Sequence, residues 1–147
     1  MAKRIGILPK LSSRATFVSG LRTGKDGAYF GIIEDNDQPL LTITTKQKTA
    51  KVEPKIIKPT LKGKDVRKWL AKASLFAIYP HSDQPPHTLS FERMSKEFPN
   101  TLTYFKDIKT VLDTRKWFKK TATELHGEFY AMMYFDLPSD FDRAEII

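Results

Sequence analysis

The chain predicts an α+β fold, a mixed or antiparallel sheet with a C-terminal helical pair in a single domain. Turn-bounded runs of β-branched and aromatic residues fill the first half, helix-periodic apolar positions follow from Thr88 to about 116, and a strand-like run returns at Glu128 to Phe135. That order argues against a repeating βαβ pattern. The 147 residues, 40% hydrophobic and 12% aromatic, suffice for one core and lie well outside disordered composition.

Each element has a local reason. Thr23-Gly24-Lys25-Asp26-Gly27 places two glycines around a charged tip, and Ala28 to Ile33 follows with strand formers, so loop then strand is expected. The polar cluster Glu34 to Pro39 leads to Leu40-Leu41-Thr42-Ile43-Thr44, which makes a hairpin. After it come loop and short strand, then a short helix from Asp65 to Ala71 packing Val66, Trp69 and Leu70. Ser74 to Tyr79 reads as a buried strand stopped by Pro80. Leu89, Phe91, Met94 and Phe98 define a helix with Thr88 as N-cap. Pro99 breaks it and opens the next, from about 100 to 116, on the stripe Leu102, Phe105, Ile108 and Leu112.

Charge is concentrated in one place. Ten Lys and Arg residues lie between Lys46 and Lys72 against Glu53 and Asp65 alone, so the whole formal net charge of +8 falls in that stretch. Such a local field points to a polyanionic partner. Pro54 and Pro59 prevent the segment from forming the amphipathic helix that a membrane surface would require. Cysteine is absent, which excludes a disulfide framework and thiolate metal sites. No apolar run approaches the ~20 residues that span a bilayer, nor is there a signal peptide, so the cytoplasm is the expected compartment. The final Ile146 and Ile147, without a polar tail, make excision from a longer chain the expectation.

Motifs for catalysis are sparse. No Gly-x-Ser-x-Gly elbow, phosphate loop or Gly-x-Gly-x-x-Gly loop occurs. His81, His87 and His126 lack the i, i+4 spacing of a helical metal site and read as surface loop residues. Gln84-Pro85-Pro86-His87 approaches the Asn/Asp/Ser-Pro-Pro-aromatic motif of amino-methyltransferases, but glutamine is a methylene too long and histidine stacks weakly on a flipped base. It is read as a proline-rich loop. Asp35, Asp37, Asp136, Asp140 and Asp142 are assigned to turns and caps. The chain is not expected to be an enzyme on its own.

Four pieces in order carry a family resemblance over residues 17 to 120. Val18-Ser19-Gly20-Leu21-Arg22-Thr23-Gly24-Lys25-Asp26-Gly27-Ala28-Tyr29-Phe30 resembles the "G-x-x-T-G-x-x-x-A-F" opening of the TaqI-like C-terminal specificity domain. Ile56 to Trp69 is similar to its "I-I-K/R-P-x-L-R-G-R-D-I-x-x-Y" segment, and Phe76 to Pro80 to its "Y-L-I-Y-P" strand. Phe98-Pro99-Asn100-Thr101 through Arg115 is similar to its "F-P-x-x-x-x-Y-L" helix, which ends in a basic turn, here Thr114-Arg115-Lys116-Trp117. The resemblance implies a DNA target recognition domain of an adenine-specific methyltransferase or a fused type II restriction-modification enzyme of bacterial type. It further implies a preceding catalytic domain in the same polypeptide that binds S-adenosylmethionine, with no cofactor in this chain. After Lys120 the pattern departs, because the family's "W-x-x-L-x-R" region becomes Thr123-Glu124-Leu125-His126-Gly127-Glu128-Phe129-Tyr130, without arginine.

On double-stranded DNA, Lys58, Lys62, Lys64 and Lys68 are the candidate phosphate contacts, which give affinity and register without sequence information. Arg22, Lys25 and Arg67 are the candidate base contacts, since Arg or Lys to guanine is the commonest specific pairing. Trp69, Tyr79 and Trp117 read as core or core edge, and Lys106, Lys109 and Lys116 as the solvated side of the long helix. Asp65 is expected to orient Lys64 or Arg67, or to cap the short helix. Two alternatives stand beside this assignment: a merely solubilising face, and an RNA-binding or protein-interaction module using the 46–72 stretch.

Overall fold

The computed structural model describes residues 20–35, 39–62, 65–67, 70–71 and 73–142. A single turn of helix, α1 (Asp26–Tyr29), leads into β1 (Phe30–Asp35), which pairs with β2 (Leu41–Thr45), and β2 pairs with β3 (Thr49–Val52). A 3-10 turn at Pro54–Ile56 precedes β4 (Ile57–Thr60), and β5 (Val66–Arg67) forms a small separate hairpin with β6 (Leu70–Ala71). β7 (Leu75–Ile78) then enters between β1 and β4, giving an antiparallel five-stranded sheet of order β3-β2-β1-β7-β4. Helices α2 (Phe91–Glu97), α3 (Pro99–Asp107), α4 (Lys109–Asp113), α5 (Ala122–His126) and α6 (Pro138–Asp142) complete the described chain. The α+β architecture and the hairpin agree with the sequence, except that Ala28 and Tyr29, expected in the strand, belong to the helical turn α1, where the Ala28 N–H bonds back to the Lys25 carbonyl.

Two-residue alternation sorts the sheet. Gly31, Ile33, Ile43, Val52 and Ile78 share the face toward the helices, where α3 lies with the Tyr104 hydroxyl 3.0 Å from Thr45 Oγ1. Gly31 is required here: a Cβ would stand 2.5 Å from the Thr44 carbonyl oxygen. Pro59, which cannot donate to a ladder, is on edge strand β4, where its missing N–H costs little. Tyr29, Phe105 and Tyr130 follow one another through the fully buried centre with ring centroids 5.6 Å apart in each pair, the first pair tilted by 45° and the second stacked. Burial pushes the Tyr104 hydroxyl up to about 12, so it stays protonated and donates to the Ala28 carbonyl at 2.7 Å.

Four further expectations are corrected. The short helix from Asp65 to Ala71 is instead the β5–β6 hairpin, because the Asp65 carboxylate reaches back to the Lys62 N–H at 2.9 Å and across to the Ser74 hydroxyl at 2.9 Å rather than forward into a helical turn. The N-cap of α2 is Ser90, whose hydroxyl accepts from the Arg93 N–H; Thr88 is occupied by a bridge to His81. The helix expected over 100–116 divides at Ile108, whose φ of −105° and ψ of 16° leave the helical region, and it ends at Asp113, where Arg115 turns inward.

The run Glu128 to Phe135 is not a strand. Its backbone is satisfied by side chains from distant elements: Tyr29 donates to the carbonyls of Tyr130 and Ala131, Arg115 to those of Phe129 and Ala131, and the Met132 N–H is accepted by His81 Nε2. Tyr134 alone forms a bridge, to Arg22. A buried backbone must find partners, and here they are not a neighbouring strand.

Candidate nucleic-acid interface

The outer face of the sheet carries two lysines of the basic stretch, Lys51 and Lys58. Alternation places Ile32, Thr42, Thr44, Thr49 and Lys51 on this face, and the cross-strand row Phe30, Ala77, Lys58 on it too. Lys58 is exposed, and the Lys62 ammonium lies 5.3 Å from the centre of the Phe30 ring. Lys48 of the stretch forms an ion pair with Asp107 at 2.7 Å. The ammonium groups of Lys46, Lys51, Lys55, Lys58 and Lys62 have no carboxylate within ion-pair distance among the described residues, while the Asp65 carboxylate lies at the Lys62 N–H.

Glu53, the stretch's other acid, is engaged elsewhere. Its carboxylate accepts from the N–H and side-chain amide of Asn100 at 2.8 and 2.9 Å, and from the N–H and hydroxyl of Thr101 at 3.0 and 2.6 Å, closing the N-terminus of α3. Burial pushes its pKa up, but these hydrogen bonds outweigh burial and hold it below the ordinary carboxylate value.

The loop carrying Arg22 and Lys25 is held from below. The Thr23 side chain is buried, donates to Asp26 Oδ1 at 2.7 Å and accepts from the Lys25 N–H at 3.0 Å. Gly24 has a φ of +72°, and a Cβ there would meet Met133 Cγ at 2.6 Å; one on Gly27 would meet Lys46 Cβ at 2.9 Å. These glycines therefore admit the protein's own side chains. Arg22 and Lys25 remain exposed, with the Arg22 guanidinium 5.5 Å from the centre of the half-buried Trp117 ring. Cations from three parts of the sequence thus meet along residues 22–30 and their neighbour turn: Arg22 on Trp117, Lys46 on Gly27, and Lys62 on Phe30.

The buried ionisable groups serve the scaffold. Arg115, 3% exposed, donates to the carbonyls of Leu112, Thr23, Ala131 and Phe129 at 2.6 to 3.0 Å. His81 is buried rather than a surface loop residue: it stacks on Phe135 with centroids 3.6 Å apart, and burial, with His126 and His87 nearby, drives its pKa well below 6.5. It is neutral, with Nε2 accepting from the Met132 N–H. Asp136 accepts from the Gly20 N–H and Asp140 from the Leu137 N–H, as turn and cap residues do. Among the described residues no cluster of His, Asp and Glu could hold a metal ion, and no helix is long and apolar enough to cross a membrane.

Of the candidates named from sequence, Arg22, Lys25 and Lys58 are exposed and Lys62 is partly exposed. Lys64 and Lys68 lie outside the described residues, as does the side chain of Arg67, whose backbone is in β5. Asp65 ties the Lys62 N–H to the Ser74 hydroxyl, and the Lys64 and Arg67 side chains expected beside it lie outside the described residues. Sequence reasoning passed over one exposed element, the turn Trp117 to Lys120. Its signal was an aromatic pair between lysines. Comparison of the chain with family models, curated proteins and solved structures gives no match in any of the three.

Proposed function

We propose that this chain is a duplex-DNA-binding target recognition domain, serving an adenine methyltransferase or a fused restriction-modification enzyme whose S-adenosylmethionine-dependent catalytic domain precedes it in the polypeptide. The observation that carries the DNA-binding part is a set of lysines without ion-pair partners among the described residues, Lys51, Lys58 and Lys62 on or over one sheet face, together with Arg22 and Lys25 exposed on the loop that leads into β1. Lysines so placed neutralise phosphates and release counterions. Arg22 and Lys25 stand on a braced loop, which suits them to base edges in the major groove. The methyltransferase context comes from the sequence resemblance.

The test is a titration of labelled duplex DNA with the wild type and with a Lys58→Ala/Lys62→Ala double variant across salt concentrations. Each phosphate that the variant no longer neutralises should lower the slope of log K against log salt by about 0.9. An unchanged slope would remove both lysines from the interface.

A further inference from the structure

The turn after α4 is built in a way that neither burial nor backbone preference explains. Trp117 and Lys120 exchange two backbone hydrogen bonds, 2.8 and 3.0 Å long, and between them Phe118 and Lys119 have φ of 47° and 68°. Two successive positive φ angles mark a type I′ turn, which favours Asn and Gly and strains other residues. Phe118 nevertheless occupies it, 86% exposed, with the edge-on Trp117 ring, 5.3 Å away, as its one aromatic neighbour among the described residues. Lys116, Lys119 and Lys120 are exposed around it, and Arg22 lies over Trp117. The base is rigid, because Arg115 clamps four carbonyls immediately before the turn and Thr121 opens a fully formed capping box immediately after it.

We infer that Phe118 is a wedge, inserted by this turn between adjacent base pairs of duplex DNA, while Lys116, Lys119 and Lys120 take the flanking phosphates. The inference rests on the DNA-binding reading above and adds a deformation to it. An apolar side chain carried on a basic, rigid tip is what unstacking a base step requires. Single-strand binders instead spread several aromatic platforms along a groove. Here the described outer sheet face offers Thr42, Thr44, Thr49 and Ile32, and its one aromatic, Phe30, carries the Lys62 ammonium over its ring.

The experiment measures anisotropy of the whole chain with an intact duplex, the same duplex carrying one central abasic site, the matching single strand, and vesicles of phosphatidylserine and phosphatidylcholine. The abasic site removes most of the unstacking cost, so the wild type should bind that duplex about tenfold more tightly than the intact one. Phe118→Asn, which suits the turn and so keeps the fold, should lose that preference with an unchanged salt slope; Phe118→Trp should retain it. A wild type that binds duplex with steep salt dependence but shows no abasic preference overturns the wedge and leaves the DNA-binding reading standing. An abasic preference retained by Phe118→Asn, or a Phe118-dependent preference for single strand or vesicles, also overturns it. No duplex binding at low salt overturns both.

Discussion

Arg115 shows how one side chain fixes the relation of three segments. A guanidinium presents its donors in a planar fork, and this one reaches the carbonyls of Leu112, Thr23, Phe129 and Ala131 while packing 5.3 Å from the centre of the Tyr29 ring. It is buried and pairs with no carboxylate among the described residues, so backbone dipoles alone satisfy it. Lysine keeps the charge but not the fork. Arg115→Lys cannot span both Thr23 and Phe129 with a planar fork, so it should leave one of these carbonyls unmet and lower stability by about 1–3 kcal/mol. Urea denaturation checks this through a lowered midpoint with an unchanged m-value; a loss below about 0.5 kcal/mol would show that the clamp is not structural. The position was visible in the sequence as part of a basic turn, yet its burial was not, because all but one of its partners lie at Thr23, Phe129 and Ala131, far away in the chain.

At the scale of elements, legibility followed locality. The β1–β2 hairpin was readable because Leu41, Ile43 and Thr45 alternate into the core within one strand. The capping box of α5 was also present in sequence, as Thr121 with Glu124 three residues on and Gly127 at the left-handed C-terminus, but sequence reasoning did not use it. The run from Glu128 failed as a strand because side chains up to about a hundred positions away satisfy its backbone, and no local pattern reports that. Glu53 is another long-range device: it docks the 3-10 turn before β4 onto the start of α3. Its folded pKa lies below the ordinary value of 4.5, so the unfolded chain binds its proton first as pH falls. Its contribution is fully present above about pH 4.5 and is lost as pH drops through the lowered value. Glu53→Gln should cost about 1 kcal/mol at pH 7, a figure modest for a group only partly buried, and should flatten the stability profile below pH 4.5. Thermal melts at pH 3.5 and 7 measure it. An equal loss at both pH values would assign the effect to shape rather than charge.

For the whole molecule, the sheet separates two tasks. One face carries helices and a continuous aromatic core; the other carries threonines and lysines, with Phe30 partly covered and Ile32 57% exposed. The concentration of charge at 46–72 was fully legible, because composition alone localises it, and the described part of it lies on β3, β4, β5 and the turns beside them. That the Arg22 loop, the Lys62 crossover and the Trp117 turn meet along residues 22–30 was not legible, since strand order and side-chain contacts bring them together. Binding of duplex DNA by this surface is the central claim. The most direct measurement is fluorescence anisotropy of labelled duplex DNA, and of a matched single-stranded RNA, titrated with the whole chain at low and near-physiological salt. Duplex binding that exceeds RNA binding and falls by at least about tenfold between 50 and 200 mM salt is the expected result. Preference for RNA, or no binding to either at low salt, would contradict that claim and favour the interaction-module alternative.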